Sequence, residues 1–123
     1  MNLTKLIILI CSLSLSTSLW AASDLYVSNN SGHRVSFKIN NRCTSVVAQP
    51  DVTTLYPAAI LAGDCAYSPS ACTMLLFNKE LCNGINIGRV TVNVNSGIIS
   101  YYSWAGGWTF GGKGFSLMLI GPR

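Results

Sequence analysis

Apolar residues in this chain alternate with polar ones and nowhere keep a helical period for ten residues, which constrains the fold more than any other feature. Val35, Phe37 and Ile39 alternate with Arg34, Ser36, Lys38 and Asn40, and Val90, Val92 and Val94 do the same later on. A side-chain period of two buries one face of a pleated strand and wets the other, so these segments are strands. Turn formers separate them at spacings of about 8–12 residues. Eight or nine such strands predict an all-β domain: a small antiparallel β-sandwich, with a small barrel as the alternative.

Leu25 and Val27, followed by Asn29-Asn30-Ser31-Gly32 and the 35–39 segment, read as a hairpin. Residues 45–48 and 52–56 read as a second strand pair around Gln49-Pro50-Asp51. Residues 58–62 fit a short strand or a helical turn, and the apolar run at 72–77 fits a strand buried on both faces. Ile85 and Ile87 alternate at odd positions but Val90, Val92 and Val94 at even ones, so a slip of one residue near Gly88 predicts a β-bulge. Residues 98–104 and 115–120 complete the strand set.

Residues 1–21 read as a secretory signal peptide: Lys5 supplies the charge, residues 6–19 carry none, and small residues at Ala21 and Ala22 offer a cleavage site. The strongly apolar stretch ends near Leu15, short of the ~20 residues a membrane span needs. Ile8-Leu9-Ile10 ahead of Cys11 lacks the small residues of a lipoprotein signal. Residues 22–123 then form a single β domain, exported to the periplasm or secreted, with no membrane span once the signal is removed.

Charged residues are only 10% of the chain and hydrophobic ones 50%, which excludes a charged disordered tail and a coiled coil. Without Lys5 there remain seven basic residues (Arg34, Lys38, Arg42, Lys79, Arg89, Lys113 and Arg123) against four acidic ones, all scattered. That pattern does not support a nucleic-acid partner or a membrane-surface patch.

Cys43, Cys65, Cys72 and Cys82 are an even set in an exported chain and predict two disulfides. Four cysteines allow three pairings, and spacing alone does not choose among them. A strand starting at Cys72 carries the chain away from Cys82 at ~3.3 Å per residue, which favours Cys65–Cys72 with Cys43–Cys82 over Cys43–Cys65 with Cys72–Cys82. Without a Cys-x-x-Cys, and with His33 the only histidine, no metal site is expected.

Catalysis has no visible constellation. Asp24, Asp51, Asp64 and Glu80 fall in turns or at a strand start with no obvious partner, and His33 opens a strand beside Arg34. No nucleophile elbow, phosphate loop or dinucleotide fingerprint occurs, so no cofactor is expected. The chain reads as a non-enzymatic binding or structural module with a glycan or protein as its partner.

Two segments are candidates for binding. Residues 101–115 concentrate Tyr101, Tyr102, Trp104, Trp108, Phe110 and Phe115 among glycines, the kind of surface on which sugars and peptides stack. Tyr101, Trp104 and Trp108 are the candidate ligand residues, although Tyr102 and Trp104 share a strand face and fit a core role better than a ligand role, while Tyr101 and Trp108 fit either equally. The second is the loop Cys65-Ala66-Tyr67-Ser68-Pro69-Ser70-Ala71-Cys72, which displays Tyr67, Ser68 and Pro69 if its cysteines pair. This loop is similar in outline to the disulfide-closed reactive loop of Bowman–Birk protease inhibitors, which would make Tyr67 a specificity residue and the protein an inhibitor of an extracellular enzyme. It departs from that family in having Ala66 where the family has Thr, one residue fewer, and a different cysteine framework. A third expectation is a subunit of a surface assembly, pairing through an edge strand at 115–120.

Phe37-Lys38-Ile39-Asn40-Asn41-Arg42-Cys43, followed by Val47 and Ala48, resembles the N-terminal strand of thaumatin-like proteins. The resemblance implies a β-sandwich. It carries over no functional residue, since the family's acidic cleft and dense cysteine pattern are absent here.

Overall fold

Alternation becomes architecture through one rule: each strand turns its apolar face to a partner sheet. The computed structural model describes residues 22–123, so the signal-peptide reading of residues 1–21 lies outside the described residues. Within these, the order is β1 (Leu25–Asn30), β2 (Val35–Ile39), β3 (Arg42–Ala48), β4 (Thr53–Tyr56), α1 (Ala58–Asp64), β5 (Cys72–Phe77), a 3-10 turn at Glu80–Cys82, β6 (Asn86–Asn93), β7 (Gly97–Ser103), β8 (Thr109–Lys113) and β9 (Ser116–Ile120). One sheet runs β4-β1-β9-β8 and the other β3-β2-β5-β6-β7; they form a sandwich and do not close into a barrel. Every pairing is antiparallel except β1 with β9, which is parallel.

Between the sheets lie Leu25 and Val27 of β1, Val35 and Phe37 of β2, Met74 and Leu76 of β5, Val90 and Val92 of β6, and Leu117 and Leu119 of β9. Both disulfides are formed, as Cys43–Cys82 and Cys65–Cys72. The first ties β3 to the 3-10 turn; the second closes the loop between α1 and β5.

Three local expectations are corrected. The β1–β2 hairpin does not form, because β1 and β2 belong to opposite sheets. Buried Asn29 and Ser31 carry the chain across the sandwich instead. Asn29 Nδ2 donates to the carbonyls of His33 (2.7 Å) and Ala48 (3.1 Å), and Ser31 Oγ donates to Asn29 Oδ1 at 2.7 Å. These side chains satisfy backbone groups that a hairpin ladder would otherwise pair. The 45–48 and 52–56 segments are likewise split between sheets. The hairpin that does form is β2–β3, turned by Asn40 and Asn41, both at positive φ (49° and 62°), a conformation that asparagine tolerates better than most residues.

β5 is not buried on both faces: Cys72, Met74 and Leu76 point inward while Thr73 is exposed. The slip near Gly88 is a bulge. Leu76 pairs with Gly88 and Phe77 with Asn86, so Ile87 is an extra residue on β6 and the apolar set stays inside. Gly88 is required there, because a Cβ would lie 2.2 Å from the Tyr102 carbonyl oxygen and 2.4 Å from the Phe110 ring. Finally, β9 is not an edge. It lies between β1 and β8, so the assembly expectation loses the edge at 115–120.

Candidate functional site

The four side-chain carboxylates each have a structural partner. Asp24 Oδ1 accepts from the Ala58 backbone N–H at the start of α1 (2.7 Å), and Asp51 pairs with Arg123 (2.7 Å). Glu80 faces Arg34 at 3.9 Å, and Asp64 accepts a 2.5 Å hydrogen bond from the Tyr56 hydroxyl. The His33 ring leans on Trp108 with centroids 6.0 Å apart. Among the described residues, no three His, Cys, Asp or Glu side chains converge as metal ligands would.

The aromatic segment divides. Trp108 is core, 6% exposed, packed on His33 and over the Gly121 backbone, where a Cβ would come within 2.6 Å of the indole. It is therefore withdrawn from the ligand-facing set. Tyr101, Tyr102 and Trp104 are 40%, 57% and 55% exposed, so the core role that the strand-face argument allowed Tyr102 and Trp104 is corrected. Tyr102 lies in register with exposed Arg89, on the face turned away from the other sheet, whereas Tyr101, opposite buried Val90, reaches water because β7 is the last strand of its sheet.

The outward face that carries Tyr102 also carries two residues that the sequence reading left unassigned to a site, Arg89 and Lys38. A register row runs Lys38, Leu75, Arg89, Tyr102 across β2, β5, β6 and β7. Arg89 lies over the Tyr102 ring at 5.0 Å, and Lys38 over the Phe77 ring at 5.8 Å. Neither cation is in an ion pair among the described residues. Trp104 is held at the end of the row, its Nε1 donating to the Asn86 carbonyl (3.1 Å) and its backbone N–H to the Ile87 carbonyl (3.1 Å). Strand register is the signal that unites these residues, and it cannot be read from sequence spacing.

The Tyr67 loop is closed by its disulfide, and Tyr67 is 89% exposed. Ser68 N–H donates to the Cys65 carbonyl and Ala71 N–H to the Ser68 carbonyl, so the segment is a succession of turns and not an extended strand. Pro69 gives its carbonyl to Val94 N–H (2.9 Å), and that bond docks the loop against the end of β6.

Beside this loop lies a cleft of about 290 Å³, lined by Asn40, Arg42, Thr44, Ser45, Asp64 and Tyr67 among others. A register break opens it. Ser36 pairs with Val47 but Lys38 with Cys43, so β3 holds two more residues than β2 over this stretch, and Thr44 and Ser45 lie within it. Beneath the cleft Tyr56 is fully buried. Burial, followed by its bond to Asp64, pushes its hydroxyl pKa far above the ordinary tyrosine range, while the adjacent Thr44 hydroxyl acts in the opposite direction. Thr44 Oγ1 is itself buried without a hydrogen bond of ordinary geometry.

No protein-family model matches the chain, and no curated protein does. The crystal structure of the Legionella pneumophila type II secretion system substrate NttC is similar to it, with a TM-score of 0.68 at 18% identity, over 80% of this chain and 97% of that one. What the two share is the fold.

Proposed function

We propose that this is an exported, non-enzymatic binding protein that recognises anionic glycan through the outer face of β6–β7. The two disulfides and the fold shared with a secreted protein support export. The observation that carries the binding reading is the row of exposed Tyr102 and Trp104 beside Arg89. Rigid rings offer stacking area at little entropic cost, and a guanidinium with no acidic partner suits carboxylated or sulfated sugars.

The test uses the tryptophans. In a chain without residues 1–21, Trp104 and Trp108 are the only two, and Trp108 is buried. Titration with a polyuronate should give a saturable fluorescence change that weakens with added salt and is lost in Trp104→Ala with the circular dichroism unchanged. Dextran, a neutral polymer, should bind more weakly. A flat response to both polymers overturns the glycan reading and leaves a protein as the ligand to seek.

A further inference from the structure

The cleft between the β3 register break and the end of α1 has the features of a separate binding site. Four properties point to a small hydroxylated ligand. Donors and an acceptor meet there without cancelling one another: the Arg42 guanidinium and the Asn40 amide line the cleft with the Asp64 carboxylate, yet Arg42 and Asp64 form no ion pair among the described residues. The carboxylate is held by the bond from Tyr56 to Oδ2, which leaves Oδ1 with no partner among the described residues. At the rim, Tyr67 sits almost fully exposed on a loop tied down by Cys65–Cys72, so an aromatic face is offered at little ordering cost. The opposite wall is fixed as well, since Cys43 in β3 is bridged to Cys82.

We infer that this cleft binds a single pyranose ring, with vicinal hydroxyls donating to Asp64 Oδ1, ring or hydroxyl oxygens accepting from Arg42 and Asn40, and the sugar face packed on Tyr67. Its volume lies at the small end of ligand pockets, which run from about 300 Å³ upward, and that suits one sugar ring better than an oligosaccharide. A hydroxyl can both donate and accept, so one polyol satisfies a carboxylate and a guanidinium at once. The site is independent of the β6–β7 face: it lies on β3 and the α1–β5 loop, at the other edge of the same sheet.

The experiment is amide and side-chain NMR of the oxidised chain without residues 1–21, titrated with methyl glucoside, methyl galactoside, methyl mannoside and N-acetylglucosamine, and separately with glycine and inorganic phosphate. At least one should perturb signals in residues 39–45 and 63–67, with a dissociation constant on the order of 1 mM. Tyr67→Ala, at an exposed loop position, and Arg42→Gln should each weaken this by about tenfold, whereas Trp104→Ala should leave it unchanged. Perturbation by glycine or phosphate and by no sugar would overturn the ligand class. No response to any probe, or a sugar response confined to residues 86–104, would overturn the site, and the second result would still leave the β6–β7 reading standing.

Discussion

Asn29 illustrates how one buried polar side chain decides a chain path. It has no exposed surface, and its amide serves two carbonyls and one hydroxyl. Asn29→Ala removes the donor to the Ala48 carbonyl and the acceptor of the Ser31 hydroxyl, while the His33 carbonyl keeps its bond from Ser31 Oγ. At a cost of about 1–3 kcal/mol for each buried group left unpaired, urea unfolding should show a lower midpoint with an unchanged slope. Tyr56 gives a pH signature. Its hydroxyl holds its proton more tightly in the folded chain than in the unfolded one, so its contribution is complete below the unfolded value of about 10 and falls away as pH rises beyond it. Unfolding midpoints measured at neutral and at strongly alkaline pH should therefore diverge in the wild type, and Tyr56→Phe should flatten that difference while losing roughly 1 kcal/mol at neutral pH. Gly88→Ala forces a Cβ into backbone and the Phe110 ring, so it should destabilise by at least the roughly 1–3 kcal/mol typical of overpacking.

At the scale of elements, the two disulfides do different work. Cys43 and Cys82 are 39 residues apart and Cys65 and Cys72 only 7. The chain-entropy relation gives roughly 4 kcal/mol for the longer loop and roughly 2 kcal/mol for the shorter. Replacing both cysteines of a bridge by alanine should therefore lower stability more for Cys43–Cys82, and thermal unfolding of the two double variants ranks them. The longer bridge also holds a turn with Leu81 and Cys82 at positive φ, helped by Ser36, whose hydroxyl donates to the Lys79 carbonyl and accepts from Cys82 N–H. Alternation identified the strands and the bulge at Ile87 because both follow from a period of two along one chain. Which strands pair was not legible. An Asn-rich turn looks alike in sequence whether it closes a hairpin, as Asn40-Asn41 does, or leads to a crossing, as Asn29-Asn30 does.

For the whole molecule, the parallel β1–β9 pair brings the beginning and end of the described chain together in the middle of one sheet. It leaves β4 and β8 as that sheet's edges and β3 and β7 as those of the other. Both candidate surfaces fall on edges: the aromatic row at β7 and the cleft at β3. Emission spectra should reflect this division. In a chain without residues 1–21, removing Trp104 leaves only the buried Trp108, so the spectrum of Trp104→Phe should shift to the blue, and an unshifted spectrum would mean that Trp104 is not exposed in solution.

The class of fold follows from sequence alone, because a period of two and evenly spaced turns suit only sheets, and an even set of four cysteines after residue 21 in an apolar, low-charge chain suits a stapled domain. The sequence also located the aromatic and Tyr67 segments. Which rings face water depends on the packing of the two sheets. Trp104 and Trp108 are four residues apart in similar glycine-flanked surroundings, yet one ends an edge strand and the other packs beneath Gly121 and His33. The row that joins Arg89 to Tyr102 and the cleft that Arg42 and Asp64 both line likewise depend on contacts between distant segments. Such contacts are set by pairing and register across sheets, and local periodicity carries no information about them.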